Sequence, residues 1–168
     1  MTSEERVVTP VLPPSLPASL PNGHMPTDGI VTAGQPGANQ FATLAAAGIN
    51  TVIDLRAPGE PRGFDEPAAA RLAGIEYHNI PVVAGLLTAN EFDHVRELLH
   101  APEKRPVLLH CVSANRVGAV LLPYLVLDEH RSPDEALRVA HDVGLRSDEL
   151  AKTAFDYIRD RQDGRSTR

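Results

Sequence analysis

The chain places its only cysteine in the stretch His110-Cys111-Val112-Ser113-Ala114-Asn115-Arg116-Val117-Gly118. An apolar run over residues 106–109 precedes this stretch, and a helical pattern follows it from residue 116 to about residue 127. The thiol is therefore predicted on a strand-to-helix turn, with an arginine at the start of the helix. A helix start offers unpaired backbone N–H groups and about half a positive charge, which favour bound anions and favour thiolate over thiol. Cys111 is thus predicted to be a nucleophile.

Composition and charge exclude several classes of protein. The 168 residues are 42% apolar with a net charge of −6, and no run of Lys or Arg occurs. We therefore expect one domain with its own core, no nucleic-acid partner and no membrane association. One cysteine allows no internal disulfide and the N-terminus has no apolar signal segment, so a cytoplasmic location is predicted. The sequence predicts no cofactor and leaves the oligomeric state open.

The chain divides into three parts by composition. Six prolines among small residues mark residues 1–27 as an extended or disordered arm: Pro10, Pro13, Pro14, Pro17, Pro21 and Pro26. A folded domain is expected over residues 28–162, and a flexible tail over residues 163–168.

Apolar runs and helical patterns alternate through the folded part. Strands are predicted at residues 30–31, 51–55, 75–80 and 106–110, with helices between and after them. Asp65, Ser147 and the capping boxes that begin at Thr88 and Ser132 mark helix starts. This rhythm predicts an α/β fold with a largely parallel sheet of about four to five strands flanked by helices. Cys111 would lie at the carboxyl end of a strand, where ligands of such sheets bind.

The motif His-Cys-x-x-x-x-Arg at this junction resembles the phosphate-binding loop of cysteine-dependent phosphatases. Three further segments extend the resemblance upstream of the motif: residues 34–36, 49–56 and 74–81. Residues 30 to 157 together are similar to the bacterial tyrosine-phosphatase-like, beta-lactamase-hydrolase-like family, which has a dual-specificity-phosphatase-like fold. The resemblance implies a cysteine-phosphatase-like catalytic domain over residues 28–162.

The resemblance also implies roles for individual residues. Cys111 would attack phosphorus and form a thiophosphoryl intermediate, and the planar guanidinium of Arg116 would grip two phosphate oxygens. His110 would either support the loop and tune the thiol or be an ordinary core histidine. The remaining residues implied for the phosphate-binding loop are Val112, Ser113, Ala114, Asn115 and Val117.

Three features depart from the usual phosphatase pattern. Four residues separate Cys111 from Arg116, as in rhodanese-like loops and in members of the bacterial family, whereas most tyrosine phosphatases have five. Ala114 stands where such loops commonly carry glycine, and alanine resists positive φ. Val117 replaces the usual Ser or Thr after the arginine, so Ser113 or Asn115 would have to stabilise the leaving thiolate.

The sequence leaves open the roles of two accessory residues and the identity of the general acid. Asp54 and Arg56 end a predicted strand, and Arg56 could either add positive potential or form a local salt bridge with Asp54 or Glu60. The general acid is not evident, because residues 81–88 contain no acidic side chain. The possible substitutes are Glu60, Asp65, Glu66 and His78. If the general acid is missing, aryl phosphates are expected to be better substrates than alkyl phosphates, because alkyl leaving groups depend more on protonation.

The sequence thus favours a metal-independent phosphatase acting on phosphotyrosine-like or small aryl phosphate monoesters. Its partner would be a phosphorylated small molecule or a phosphoprotein. One alternative is a rhodanese-like sulfurtransferase that carries a persulfide on Cys111, and another is a pseudophosphatase that binds phosphorylated ligands without turnover. No metal site is expected, since no Cys/His cluster has ligand spacing.

Overall fold

The computed structural model describes residues 12–13 and 15–166, with a five-stranded sheet at the centre. The strands are β1 (His24–Thr27), β2 (Ile30–Ala33), β3 (Thr51–Asp54), β4 (Glu76–Asn79) and β5 (Val107–His110). Their order across the sheet is β1-β2-β5-β3-β4, with β1 antiparallel to β2 and all other pairs parallel. The prediction of a largely parallel α/β fold is confirmed.

Six helices flank the sheet within these described ranges. They are α1 (Gln40–Ala47), α2 (Glu66–Leu72), α3 (Ala89–His100), α4 (Asn115–Leu127), α5 (Pro133–Val143) and α6 (Asp148–Ser166), with short 3-10 turns at Pro17–Ser19 and Pro102–Lys104. The capping box predicted at Thr88 is present, and Asp65 caps α2 by accepting a hydrogen bond from the Ala68 amide. Within the described part of the chain, no helix is both long and apolar enough to cross a bilayer.

The sheet separates two hydrophobic cores. Val107 and Leu109 of the central strand β5 belong to the larger core, and Leu108 belongs to the smaller core, because successive side chains of a strand point to opposite faces. Helices α3, α4, α5 and α6 supply the larger core, whereas α1, α2 and the N-terminal segment supply the smaller one. Every residue of β5 is buried, so this strand holds the following loop in a fixed position.

The N-terminal boundary differs from the sequence prediction. Residues 24–27 of the predicted arm form β1, and Leu12, Leu16 and Leu20 are buried in the smaller core. Pro17 lies in a 3-10 turn, and Pro26 lies in an edge strand where no ladder hydrogen bond is lost, so neither prevents this packing. Residues 1–11 and residue 14 of the predicted arm lie outside the described residues.

The C-terminal boundary also differs. Helix α6 continues to Ser166, past the predicted boundary at residue 162, because the residues beyond it contain no proline to stop the helix. Residues 167 and 168 of the predicted flexible tail lie outside the described residues.

Candidate active site

Cys111 lies directly after β5, in the loop that leads into α4, and is 1% exposed. The strand-to-helix turn predicted from the sequence is confirmed. Ala114 occupies the N-cap position of α4 with φ 70° and ψ 6°, in the left-handed region. Alanine was expected to resist this conformation, and it adopts it here at a cost of about 1 kcal/mol. Burial of Ala114 within the larger core holds the strained turn in place.

The outer side of the loop is held by the N-terminal part of the chain. The Val112 carbonyl accepts a hydrogen bond from the Gln35 amide at 3.1 Å, and the Ser113 carbonyl accepts one from the Asn22 side chain at 3.3 Å. A Cβ atom on Gly34 would lie 2.5 Å from the Val112 carbonyl oxygen, so this close approach requires glycine. Because C=O and N–H of a trans peptide point in opposite directions, the amides of Ser113 and Ala114 face the other side of the loop.

Asn115 ties the loop to the connection between α5 and α6. Its side-chain oxygen accepts hydrogen bonds from the backbone amides of Arg146 at 2.7 Å and Ser147 at 3.2 Å. This oxygen therefore has a positioning role in the structure. Val117, the residue after the arginine, is fully buried in the larger core.

Arg116 forms a bidentate ion pair with Glu60. Its two terminal nitrogens donate to the two carboxylate oxygens at 2.8 and 2.9 Å. These hydrogen bonds raise the pKa of the guanidinium above its usual value. The nearby Cys111 side chain also raises this pKa, whereas burial lowers it. The same hydrogen bonds lower the pKa of Glu60. Arg116 and Cys111 thus lie together, as predicted, and Glu60 holds the far end of the arginine.

Asp54 and Arg56 form a fully buried ion pair behind the loop. Arg56 donates to the two oxygens of Asp54 at 2.9 and 3.1 Å and also bonds Glu66. Tyr77 and Arg62 donate to Asp54 at 2.7 and 3.1 Å. Burial alone would raise the pKa of Asp54, but the hydrogen bonds from Arg56 and the charge of His110 hold it well below its ordinary value. The predicted local salt bridge of Arg56 is therefore present with Asp54 and Glu66, and Glu60 bonds Arg116 instead.

His110 is buried between the loop and α2. Its Nδ1 lies 3.2 Å from the Cys111 carbonyl oxygen, and its Nε2 lies 2.5 Å from Glu66 Oε1. Glu66 is the residue of this network whose place the sequence did not indicate. The sequence suggested Glu66 as a possible general acid, whereas the structure buries it fully against His110 and Arg56.

Of the four substitutes considered for the general acid, only Glu60 bonds a residue of the loop. Asp65 caps α2, and His78 pairs with Glu76 at 2.7 Å. Glu66 faces His110 and Arg56. The pKa of Glu60 is lowered by Arg116, so this carboxyl is a poor proton donor near neutral pH.

In the described part of the chain, one buried cluster has the composition of a metal site. Asp54, Glu66 and His110 bring ligand atoms within 4.8 Å of one another. The guanidinium of Arg56 already bonds both carboxylates and occupies the place of a cation. The residues present therefore fit an internal ion pair and do not fit a bound metal ion.

Residues 24–122 match a family model described as the phosphatase-like domain of beta-lactamase hydrolase-like proteins. The chain belongs to this family. The family resemblance drawn from the sequence is confirmed.

Curated relatives agree with this assignment. A beta-lactamase hydrolase-like protein of Xylella fastidiosa is 30% identical over 120 residues, which are 69% of this chain and 28% of that protein. A beta-lactamase hydrolase-like protein of Agrobacterium fabrum is 32% identical over 91 residues, 52% of this chain and 21% of its own length. This phosphatase-like domain thus matches less than a third of the length of these relatives.

Solved structures share the fold of the domain. A DUF442 protein of Shewanella putrefaciens, described as a phosphatase, superposes with a TM-score of 0.74 at 18% identity, covering 85% of this chain and 95% of that one. TpbA of P. aeruginosa superposes with a TM-score of 0.65 at 23% identity, covering 90% and 91%. A cysteine-to-serine variant of TpbA was solved in complex with phosphotyrosine, and this structure superposes with a TM-score of 0.64 at 21% identity, covering 94% and 91%.

Proposed function

We propose that this chain is a cysteine-dependent phosphatase that hydrolyses phosphotyrosine-like or small aryl phosphate monoesters. The observation that carries the proposal is the position of Cys111 at the carboxyl end of β5 and at the start of α4, beside the guanidinium of Arg116. A helix start and a guanidinium are both sites at which phosphate binds in proteins. The family supports a phosphatase, and the complex of TpbA with phosphotyrosine supports the substrate class.

The reaction has two steps. The Cys111 thiolate attacks phosphorus, an S–P bond forms, and the P–O bond to the leaving group breaks with its electron pair on that oxygen. Water then attacks the same phosphorus, so that the S–P bond breaks, phosphate leaves and the thiolate returns. The amides of Ser113 and Ala114 and the free edge of Arg116 would hold the equatorial oxygens in both steps.

The surroundings of the loop favour a substrate with an apolar leaving group. Val112 in the loop is 53% exposed. Val83 and Leu86 are also exposed, and they follow Val82, whose carbonyl faces Arg116 at 3.5 Å. Apolar side chains at the mouth of a phosphate site suit an aromatic ring better than a charged or sugar-bearing group.

Hydrolysis of p-nitrophenyl phosphate tests the proposal. We would compare the chain with Cys111→Ser between about pH 5 and pH 8 with a chelator present. Turnover that survives chelation and is lost in Cys111→Ser is the expected result. Turnover that persists in Cys111→Ser would mean that another group is the nucleophile.

The four-residue spacing between Cys111 and Arg116 favours a second candidate, a sulfurtransferase. In that reaction the thiolate accepts a sulfane sulfur from thiosulfate, sulfite leaves, and a persulfide remains on Cys111. Mass spectrometry after thiosulfate treatment would show the added sulfur.

A third candidate is a pseudophosphatase, which the strained Ala114 and the lowered pKa of Glu60 favour. Vanadate binding without turnover of p-nitrophenyl phosphate would identify it.

A further inference from the structure

Glu60, which bonds Arg116, lies in an irregular loop between β3 and α2. This Glu60 loop, residues 57–63, contains Pro58 and Pro61, which have no amide hydrogen to donate and are both exposed. The amide of Glu60 donates to the Ala57 carbonyl at 3.0 Å, and the amide of Ala57 donates to the Glu60 carboxylate at 2.5 Å. The backbone of the loop thus supplies few donors of its own, and its remaining carbonyl groups need a side-chain partner.

The side chain of Arg62 folds back onto the Glu60 loop and bonds these carbonyl groups. Its Nη1 lies 3.3, 3.1 and 3.2 Å from the carbonyl oxygens of Ala57, Pro58 and Glu60. Its Nη2 lies 3.5 Å from the carbonyl oxygen of Arg56. The side chain is 13% exposed, so these hydrogen bonds are largely shielded from water. Arg62 therefore supplies the donors that the prolines lack.

The other edge of the same guanidinium bonds the sheet. Nε and Nη2 of Arg62 lie 3.1 and 3.0 Å from Oδ2 of Asp54. Asp54 is fully buried at the end of β3, and its register partner on β5 is His110, the residue before Cys111. Arg62 therefore fixes the Glu60 loop to the same edge of the sheet as Cys111.

A guanidinium can join these two sets of acceptors because its donors lie along the edges of one plane. A lysine ammonium has the same charge, but its three donors share a single nitrogen. It cannot bond the Asp54 carboxylate and the loop carbonyl groups together in this arrangement. Exchange of Arg62 for lysine therefore keeps the charge and removes the bridge.

We propose that Arg62 is a positioning residue that places Glu60 against Arg116 and so sets the orientation of the guanidinium that would hold the phosphate. This inference rests on the proposed function, in which Arg116 binds the phosphate oxygens. Arg62 itself is not placed to contact the phosphate, because each of its nitrogens bonds Asp54 or a backbone carbonyl. It acts through Glu60, whose carboxylate accepts hydrogen bonds from Arg116 at 2.8 and 2.9 Å.

A double-mutant cycle on kcat/KM for p-nitrophenyl phosphate tests the inference. Arg62→Lys should lower kcat/KM about fivefold, because the charge stays while the bridge between loop and sheet is lost. In a Glu60→Ala background the same substitution should lower kcat/KM less than about twofold, since the carboxylate through which Arg62 acts is already absent. Arg71→Lys is the matched control, because Arg71 is exposed on α2, and its kcat/KM should equal that of the unmodified chain.

Two kinetic results would overturn the inference. One is full activity in a folded Arg62→Lys variant. The other is an equal loss of kcat/KM on adding Arg62→Lys to Glu60→Ala, because Arg62 would then act by a route other than Glu60, such as a general loosening of the fold. If Arg62→Lys does not fold, Arg62→Gln takes its place in the cycle, and the same two outcomes decide.

Hydrogen exchange of the Ala57 and Glu60 amides reports the position of the Glu60 loop without turnover. Exchange should be faster in Arg62→Lys than in the unmodified chain, and equal exchange would overturn the inference. Failure of the phosphatase proposal would appear separately. In that case the unmodified chain would not hydrolyse p-nitrophenyl phosphate, while faster exchange in Arg62→Lys would still show that Arg62 holds Glu60 in place.

Discussion

The contact between Arg116 and Glu60 determines which part of the guanidinium is available for a phosphate in the proposed reaction. A guanidinium carries five N–H donors, and the two terminal nitrogens each give one to Glu60. Of the three remaining donors, one on Nη1 faces the Val82 carbonyl at 3.5 Å, and the other two, on Nε and Nη2, form an edge that can face the loop beside Cys111. Glu60 therefore orients the arginine and leaves its binding edge open.

Replacing Glu60 with glutamine tests this orienting role. Glu60→Gln keeps the shape but loses one charged hydrogen bond, so kcat/KM for p-nitrophenyl phosphate should fall about tenfold. The free energy of unfolding should change by less than about 1 kcal/mol, because the pair is partly exposed. Steady-state kinetics and urea unfolding measure the two effects. A rise in kcat/KM would show instead that Glu60 blocks the phosphate site.

The lowered pKa of Glu60 also predicts a preference among substrates. A carboxyl that is ionised near neutral pH gives little help to a leaving group that must be protonated. Aryl phosphates leave as stable phenolates, whereas alkyl phosphates do not, so kcat for p-nitrophenyl phosphate should exceed that for an alkyl phosphate by about 10²-fold or more. Parallel assays at pH 7 measure the ratio, and equal rates would contradict the prediction.

At the scale of elements, the buried Asp54 connects β3 to Arg56 and Arg62. The direction in which its pKa is shifted predicts whether the stability of the fold rises or falls with pH. The folded pKa lies below the unfolded value of about 3.9, so the carboxylate stabilises the fold above about pH 4. This contribution is lost as the pH falls toward the folded pKa.

The effect of substituting Asp54 on the free energy of unfolding should therefore depend on pH. Asp54→Asn should lower the free energy of unfolding by about 3–5 kcal/mol at pH 7, because Arg56 loses a buried partner. Urea unfolding should show the difference from the unmodified chain narrowing between about pH 5 and pH 2.5. Asp142→Asn, an exposed position on α5, is the control. A difference that stays constant with pH would refute the assignment of the stabilisation to the Asp54 carboxylate.

Helix α5 approaches the loop through Gly144. This residue has φ 137°, and a Cβ atom there would lie 3.0 Å from the carbonyl carbon and the Cβ of Ala114. Alanine at this position must both adopt a backbone conformation that L-residues avoid and displace the loop.

We expect Gly144→Ala to destabilise the fold by about 2 kcal/mol and to lower kcat/KM about tenfold. Thermal unfolding and steady-state kinetics measure these effects. Gly164→Ala is the control, because that glycine lies in α6 and its added Cβ would meet nothing within 4 Å. The interpretation fails if both variants behave alike.

Local patterns in the sequence are sufficient to predict most helices and strands. They do not predict which side chains from distant parts of the chain contact one another. The Thr88 and Asp65 caps are local hydrogen bonds, so sequence spacing predicts them directly. The burial of Glu66 depends on His110, which lies 44 residues away, and no local pattern encodes that contact. Strand β1 was missed because prolines dominate its surroundings and its pairing with β2 leaves only a short edge.

At the scale of the whole molecule, the N-terminal segment connects the smaller core to the loop between β5 and α4. Its leucines pack beneath the sheet, and the Ser19 carbonyl accepts a hydrogen bond from Gln40 at 2.7 Å. The Pro21 carbonyl accepts one from the Gly34 amide at 2.7 Å, and Asn22 reaches the Ser113 carbonyl. The residues that hold the outer side of the loop therefore depend on a segment that composition alone assigns to an arm.

If this segment belongs to the fold, its buried leucines must contribute to stability. Leu16 is 3% exposed in the smaller core, so Leu16→Ala should lower the free energy of unfolding by about 2–4 kcal/mol. Leu72→Ala makes the same chemical change at a side chain that is 87% exposed, and should cost less than about 0.5 kcal/mol. Urea unfolding of the two variants measures the contrast. Equal, small losses would mean that the segment is detached in solution, and that Asn22 does not hold the loop.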